Sequence, residues 1–97
     1  MTIEQNLYKG SRAREILENE IYQAAFDEIE QELVKAWKQS PLRDAEGREK
    51  LHLMLTMLLR VQTCLQNTMD SGKLAEKDLM HKRTLADQAK AYLGLNS

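Results

Sequence analysis

Ninety-seven residues make one domain, near the lower end of what folds alone. Charged residues are 30% of the chain and hydrophobic residues 42%, the net charge is −1, and a single cysteine excludes an internal disulfide. The longest apolar run falls short of the ~20 residues that a bilayer crossing takes, so a membrane-spanning protein is excluded too.

Residues 1–10 read as an arm. Thr2 and Gln5 have the spacing of a capped turn, and Gly10 is expected to separate that turn from the next helix. The stretch is polar and has no signal-peptide core, which predicts a reducing, cytosolic setting. Tyr8 is the arm's candidate for touching a neighbour.

Ser11 is expected to cap a helix over residues 11–39. Leu17, Ile21, Ala25, Ile29, Leu33 and Ala36 recur at spacings of three and four. Tyr22, Phe26 and Trp37 widen that face. Glu18, Asp27, Glu28, Glu30, Gln31, Lys35 and Lys38 take the opposite one. Ser40-Pro41 stops the helix, because proline restricts the preceding residue and cannot continue the ladder. The short loop after it predicts an antiparallel return.

Asp44 is the expected N-cap of a second helix over residues 45–69. Its centre, Leu51–Leu65, reads LHLMLTMLLRVQTCL and is apolar nearly all the way round. His52, Thr56, Arg60, Thr63, Asn67 and Asp70 fall in one narrow polar row. One neighbouring helix covers only a stripe. Leu51, Met54, Leu55, Leu58, Val61 and Leu65 are assigned to the hairpin seam, against Leu17, Ile21, Phe26, Ile29, Leu33 and Trp37. Leu53, Met57, Leu59 and Cys64 are then left for a third helix or another subunit.

Asp70-Ser71-Gly72 is expected to end that helix, with Gly72 as its left-handed cap. A sparser third helix is predicted over residues 73–93, with Gly94 as its stop. The fold class is therefore all-α: a long antiparallel helical hairpin plus a third C-terminal helix, expected to oligomerise.

Chemistry-bearing patterns are few. Glu28 and Glu32 are an i,i+4 carboxylate pair. Glu49 and His52 match one Glu-x-x-His element, but a di-metal bundle needs more than one copy. Cys64 sits among Val61 and Leu65 and reads as a core thiol. No P-loop, dinucleotide turn or serine-nucleophile motif occurs. The reading is of a protein that is not an enzyme and takes no metal, cofactor or small-molecule substrate. Nucleic acid has one candidate surface. Lys73, Lys77 and His81 share an i,i+4 row, with Lys82 and Arg83 beside it. Glu76, Asp78 and Asp87 dilute the charge, and no aromatic residues interleave for base stacking.

The chain also carries Tyr8-Lys9-Gly10, Ala13, Ile16-Leu17-Glu18-Asn19-Glu20, Phe26, Trp37, Arg48-Glu49-Lys50-Leu51 and Ser71-Gly72-Lys73-Leu74-Ala75. Over residues 8–80 this resembles small helical proteins of tailed bacteriophages and prophages, from the DNA-packaging and head-assembly gene region. The resemblance brings no catalytic residue. It implies a viral assembly protein in the host cytosol or the virion, with itself or a larger phage protein as partner. Two other functions stay open: a DNA-packaging subunit that binds DNA as an oligomer, and an inhibitor that binds one host protein.

Overall fold

The computed structural model describes residues 2–94 and is all-α. Met1 and residues 95–97 lie outside the described residues. Three helices occur in order: α1 (Ile3–Glu18), α2 (Glu20–Gln39) and α3 (Ala45–Tyr92). Together α1 and α2 form one arm of a hairpin, and α3 alone forms the other. The rod measures 77 × 25 × 17 Å, so it is two helices wide and one thick. Its radius of gyration is 22.0 Å, against roughly 13 Å for a compact domain of this length.

The hairpin was legible in the sequence, but three helix boundaries differ from expectation. Residues 2–10, the described part of the expected arm, are not detached. Thr2 caps α1, its side chain accepting from the Gln5 backbone while Gln5 reaches back to the Thr2 backbone. Ser11 is therefore interior to α1, and Gly10 breaks nothing.

The second difference is a joint inside the predicted 11–39 helix. The α1 helix ends at Asn19, which takes φ −70° and ψ 124° and caps both sides of the break. Its N–H donates to the Ile16 carbonyl at 3.1 Å, and its Oδ1 accepts from the Tyr22 N–H at 2.9 Å. The Gln23 amide donates to the Leu17 carbonyl at 2.7 Å. Few backbone groups are left bare, so the break is cheap.

The third difference is the largest. Asp70-Ser71-Gly72 does not end a helix, and no separate third helix exists over residues 73–93. The α3 helix runs for 48 residues without interruption. Gly72 keeps helical dihedrals; the only positive φ among the described residues belongs to Gly94, at 72°. Gly94 does lie where the sequence placed the stop.

Gly72 has a different task. It faces Gly10 across the hairpin, backbone against backbone. A Cβ built on Gly10 would lie 2.6 Å from the Gly72 Cα, and one built on Gly72 would lie 2.8 Å from the Gly10 Cα. Neither position has room for a side chain. Ala13 and Ala75, each three residues further on, are buried beside them. The matched glycines, with one alanine on either side of the contact, let the two helices touch along their backbones.

The buried and half-buried residues of α3 include Leu51, Leu55, Leu58, Leu65, Met69, Gly72, Ala75 and Leu79. Their average repeat is close to 3.5 residues, the period of a coiled-coil seam. The facing arm offers Ile3, Asn6, Gly10, Ala13 and Leu17 in the same repeat. After the Asn19 joint the seam resumes at Tyr22, Phe26, Glu30 and Leu33. Little of this is a core. Among the described residues, only Ala13, Phe26 and Ala75 are buried hydrophobics, and no large side chain is fully enclosed.

The loop end is fastened by Arg48. Its guanidinium stacks on the Trp37 ring at 4.4 Å from the centroid. Its Nη1 donates to the Ser40 hydroxyl at 2.8 Å and, more weakly, to the Ser40 and Trp37 carbonyls at 3.3 Å. One planar cation thus satisfies the carbonyl end of α2 and ties it to the first turn of α3. Asp44 caps α3 as expected, accepting from the Gly47 N–H at 3.0 Å.

Candidate functional site: an uncovered apolar groove

The Asn19 joint decides which side of α2 meets α3. Had α1 and α2 been one straight helix, the seam through Gly10, Ala13 and Leu17 would next have used residue 20 or 21. The joint instead turns Tyr22 and Phe26 inward. Ile21 is left 80% exposed and Ile29 about half exposed. Both were expected in the seam. The Tyr22 and Phe26 rings sit 6.0 Å apart at the joint, and the Tyr22 hydroxyl is buried there without a hydrogen-bond partner.

The same correction applies on α3. Leu51, Leu55, Leu58 and Leu65 take the seam, as expected, but Met54 and Val61 do not and are both exposed. They lie one helical step to the side, where they join Leu53 and Met57. Trp37 is also part-exposed, with one face against Arg48.

These displaced side chains gather on one side of the rod. Ile29 and Leu33 of α2, with Leu53, Met54, Met57, Leu58 and Val61 of α3, line an open groove between the two helices. No charged or polar residue lines it. The polar row on the far side of α3 is also less polar than its composition suggests. The hydroxyls of Thr56 and Thr63 donate to the carbonyls four residues back, at 2.9 and 3.1 Å, and so leave mainly their methyl groups outward.

The interface candidates from the sequence divide among three places. Leu53 and Met57 are in the groove and exposed. Leu59 is exposed on a different flank, about 200° round the helix from Met57. Cys64, expected as a core thiol, is instead exposed, two turns beyond Met57 on the same row of α3. Tyr8 is exposed on α1. The Arg12 guanidinium lies over its ring at 5.4 Å and also pairs with Glu15 at 3.0 Å. Hydrogen bonding to Tyr8 first, and to Glu15 second, raises the Arg12 pKa above its ordinary value.

The basic candidates all lie on the C-terminal third of α3. Lys73 lines a shallow cleft with Gly10, Ser11 and Arg14 of α1, while Lys77 is exposed on the face of α3 turned away from α1. His81, Lys82 and Arg83 lie beyond it, since α1 begins at Ile3 and reaches only as far as about Asp78. From Met80 onward every described residue is exposed. Among the described residues no three His, Cys, Asp or Glu side chains come together as a metal-binding group, and no helix is long and apolar enough to cross a membrane.

Two features at this site escape a reading of the sequence. Arg48 stands there only within a run of residues, although a lone arginine one turn into a helix, across a short loop from a tryptophan, fits a stacking pair. The Asn19 joint has a signal as well, because asparagine is among the best N-caps. The unbroken apolar period around it hides that signal.

No family model, no curated protein and no solved structure matches the chain.

Proposed function

We propose that this chain is a non-enzymatic structural or assembly protein, a helical rod that works by docking its apolar groove on another protein surface. One observation carries the reading. The third helix that could have covered Leu53 and Met57 is the continuation of α3 itself. A helix cannot fold back on its own axis, so no described segment is free to shelter the groove. Burying one large apolar side chain is worth ~1.5–3 kcal/mol. The groove residues together therefore represent a large share of the ~5–15 kcal/mol that stabilises a typical domain. The tailed-phage setting, with the host cytosol or virion as location, rests on the residue resemblance alone.

Light scattering across a concentration series tests this reading, with a dye that reports exposed hydrophobic surface. Association, or strong dye binding that a partner suppresses, is the expected result. A strict monomer at tens of micromolar that binds no dye overturns it.

A second reading, a DNA-packaging subunit, is favoured by one feature. The end of α3 beyond Asp78 projects past α1 with Lys82, Arg83 and Lys90 against a single acid, Asp87. Retention of DNA at low salt that falls steeply as salt rises supports it. No mobility shift at low salt removes it.

A further inference from the structure

We infer that the groove is filled by a second copy of this chain, lying alongside with its loop at the same end, so that two hairpins form a four-helix bundle over the loop half of the rod. The inference rests on the docking reading above and names its partner and orientation.

Surface area is the first reason. A compact monomer of 11.2 kDa exposes roughly 5,700 Å², whereas this chain exposes 8096 Å². The difference of roughly 2,400 Å² exceeds the ~800 Å² that each partner contributes to a standard interface. Shape is the second. The rod is one helix thick, and its groove is a two-helix face formed by Ile29, Leu33, Leu53, Met54, Met57 and Val61. A second identical face supplies the other two helices of a bundle at ordinary 8–10 Å spacing. A two-fold pairing uses the same patch on both copies.

Charge selects between the two ways of making that pair. The α2 helix carries five acids against two lysines, while residues 45–65 of α3 carry three bases against two acids. A two-fold axis across the rod sets α2 over α2, acid against acid. A two-fold axis along the rod sets α2 of each copy over α3 of the other, acid against base.

Side-chain positions agree with the second arrangement. Trp37 stands level with Arg48 within one hairpin. The partner's Glu32 therefore comes level with Leu53 and Met54, about one turn from Lys50. The partner's Glu28 comes within about one turn of Arg60. All four of these charged residues are exposed, and Lys50, which pairs with Glu46 at 3.5 Å within its own helix, is the one that would have to share its charge at the rim. Such rim pairs set orientation more than affinity.

Sedimentation of the full chain and of three variants, with spin-label distances, tests the inference. The expected result is a dimer whose dissociation constant rises on the order of 100-fold or more for Met57→Glu, because the symmetric interface is hit twice. Leu59→Glu, on the other flank, leaves the dimer intact. Labels on Leu42→Cys in a Cys64→Ala background, at the exposed loop, then lie within about 30 Å of one another. Labels more than about 40 Å apart place the loops at opposite ends and overturn the orientation. A dimer indifferent to Met57→Glu overturns the groove as interface while leaving association standing. A strict monomer that still binds dye overturns the second copy but not docking; a monomer that binds none overturns both. Loss of helicity in Met57→Glu is separated from loss of pairing by repeating the measurement on Val61→Ala. That truncation adds no charge and is expected to weaken the dimer several-fold, and an unweakened dimer in that variant counts against the groove.

Discussion

The two halves of this rod are held together by opposite means. Where α1 crosses α3, Gly10 and Gly72 bring the backbones into contact, and the buried neighbours Ala13 and Ala75 are small. Where α2 meets α3, the side chains are large and most stay part-exposed; Phe26 alone is buried. The first half has less apolar surface to hide, and its exposed large side chains, Tyr8, Ile16 and Leu74, are scattered rather than gathered in a groove. The second has a great deal and lacks a partner helix to hide it. Close packing and abundant hydrophobicity are separate properties, and here they are spatially separated. The tight half reads as finished within one chain. The greasy half reads as half of something larger.

The sharpest way to break this contrast is to spoil the tight half. Gly72→Leu inserts a branched side chain where even a Cβ would meet the Gly10 Cα at 2.8 Å. Leucine is the better helix former by up to ~1 kcal/mol, but that gain is outweighed by steric overlap with backbone. The expected net loss is ~3 kcal/mol, with α1 prised from α3. Chemical denaturation followed by circular dichroism measures it, and an unchanged midpoint would show that the two backbones do not touch at Gly10 and Gly72.

Next in size is the fastening of the greasy half. Arg48→Ala removes the stack on Trp37 and the hydrogen bonds to the carbonyl end of α2. A loss of ~2 kcal/mol is expected in the same experiment. Arg48→Lys should recover less than half of it, because an ammonium lacks the planar fork. Full rescue by lysine would mean that charge, not stacking, holds the loop end.

The smallest effect is expected at the joint between the halves. The Tyr22 hydroxyl is buried without a hydrogen-bond partner. Tyr22→Phe removes an unsatisfied polar group and keeps the ring against Phe26, so stability should stay level or rise by up to ~1 kcal/mol. A clear loss of stability would reveal a partner for that hydroxyl.

How much of the molecule was legible in the chain depends on the range of each signal. The Ser40-Pro41 stop, the Asp44 cap, the Gly94 stop and the Thr2–Gln5 cap are local, and the structure has them where the sequence placed them. Glycine misled because it serves two ends. It permits a left-handed stop, and it permits two backbones to touch. Gly94 does the first and Gly72 the second, and nothing within four residues of either tells them apart. Ile21 and Ile29 were misplaced for a related reason. Periodicity assumes an unbroken helix, and a single capped residue at Asn19 shifts the phase of everything after it.

The sequence by itself determined an all-α hairpin, the loop that reverses it, and a central helix with more apolar surface than one neighbour covers. Those depend on dihedral preferences, capping and side-chain period, all readable within a few residues. The tertiary structure alone decided that Gly10 lies against Gly72, that residues 45–92 are one helix, and which apolar side chains face the open groove. Each of these turns on what lies opposite a residue in space, and residue 10 meets residue 72 only after the chain has folded back on itself.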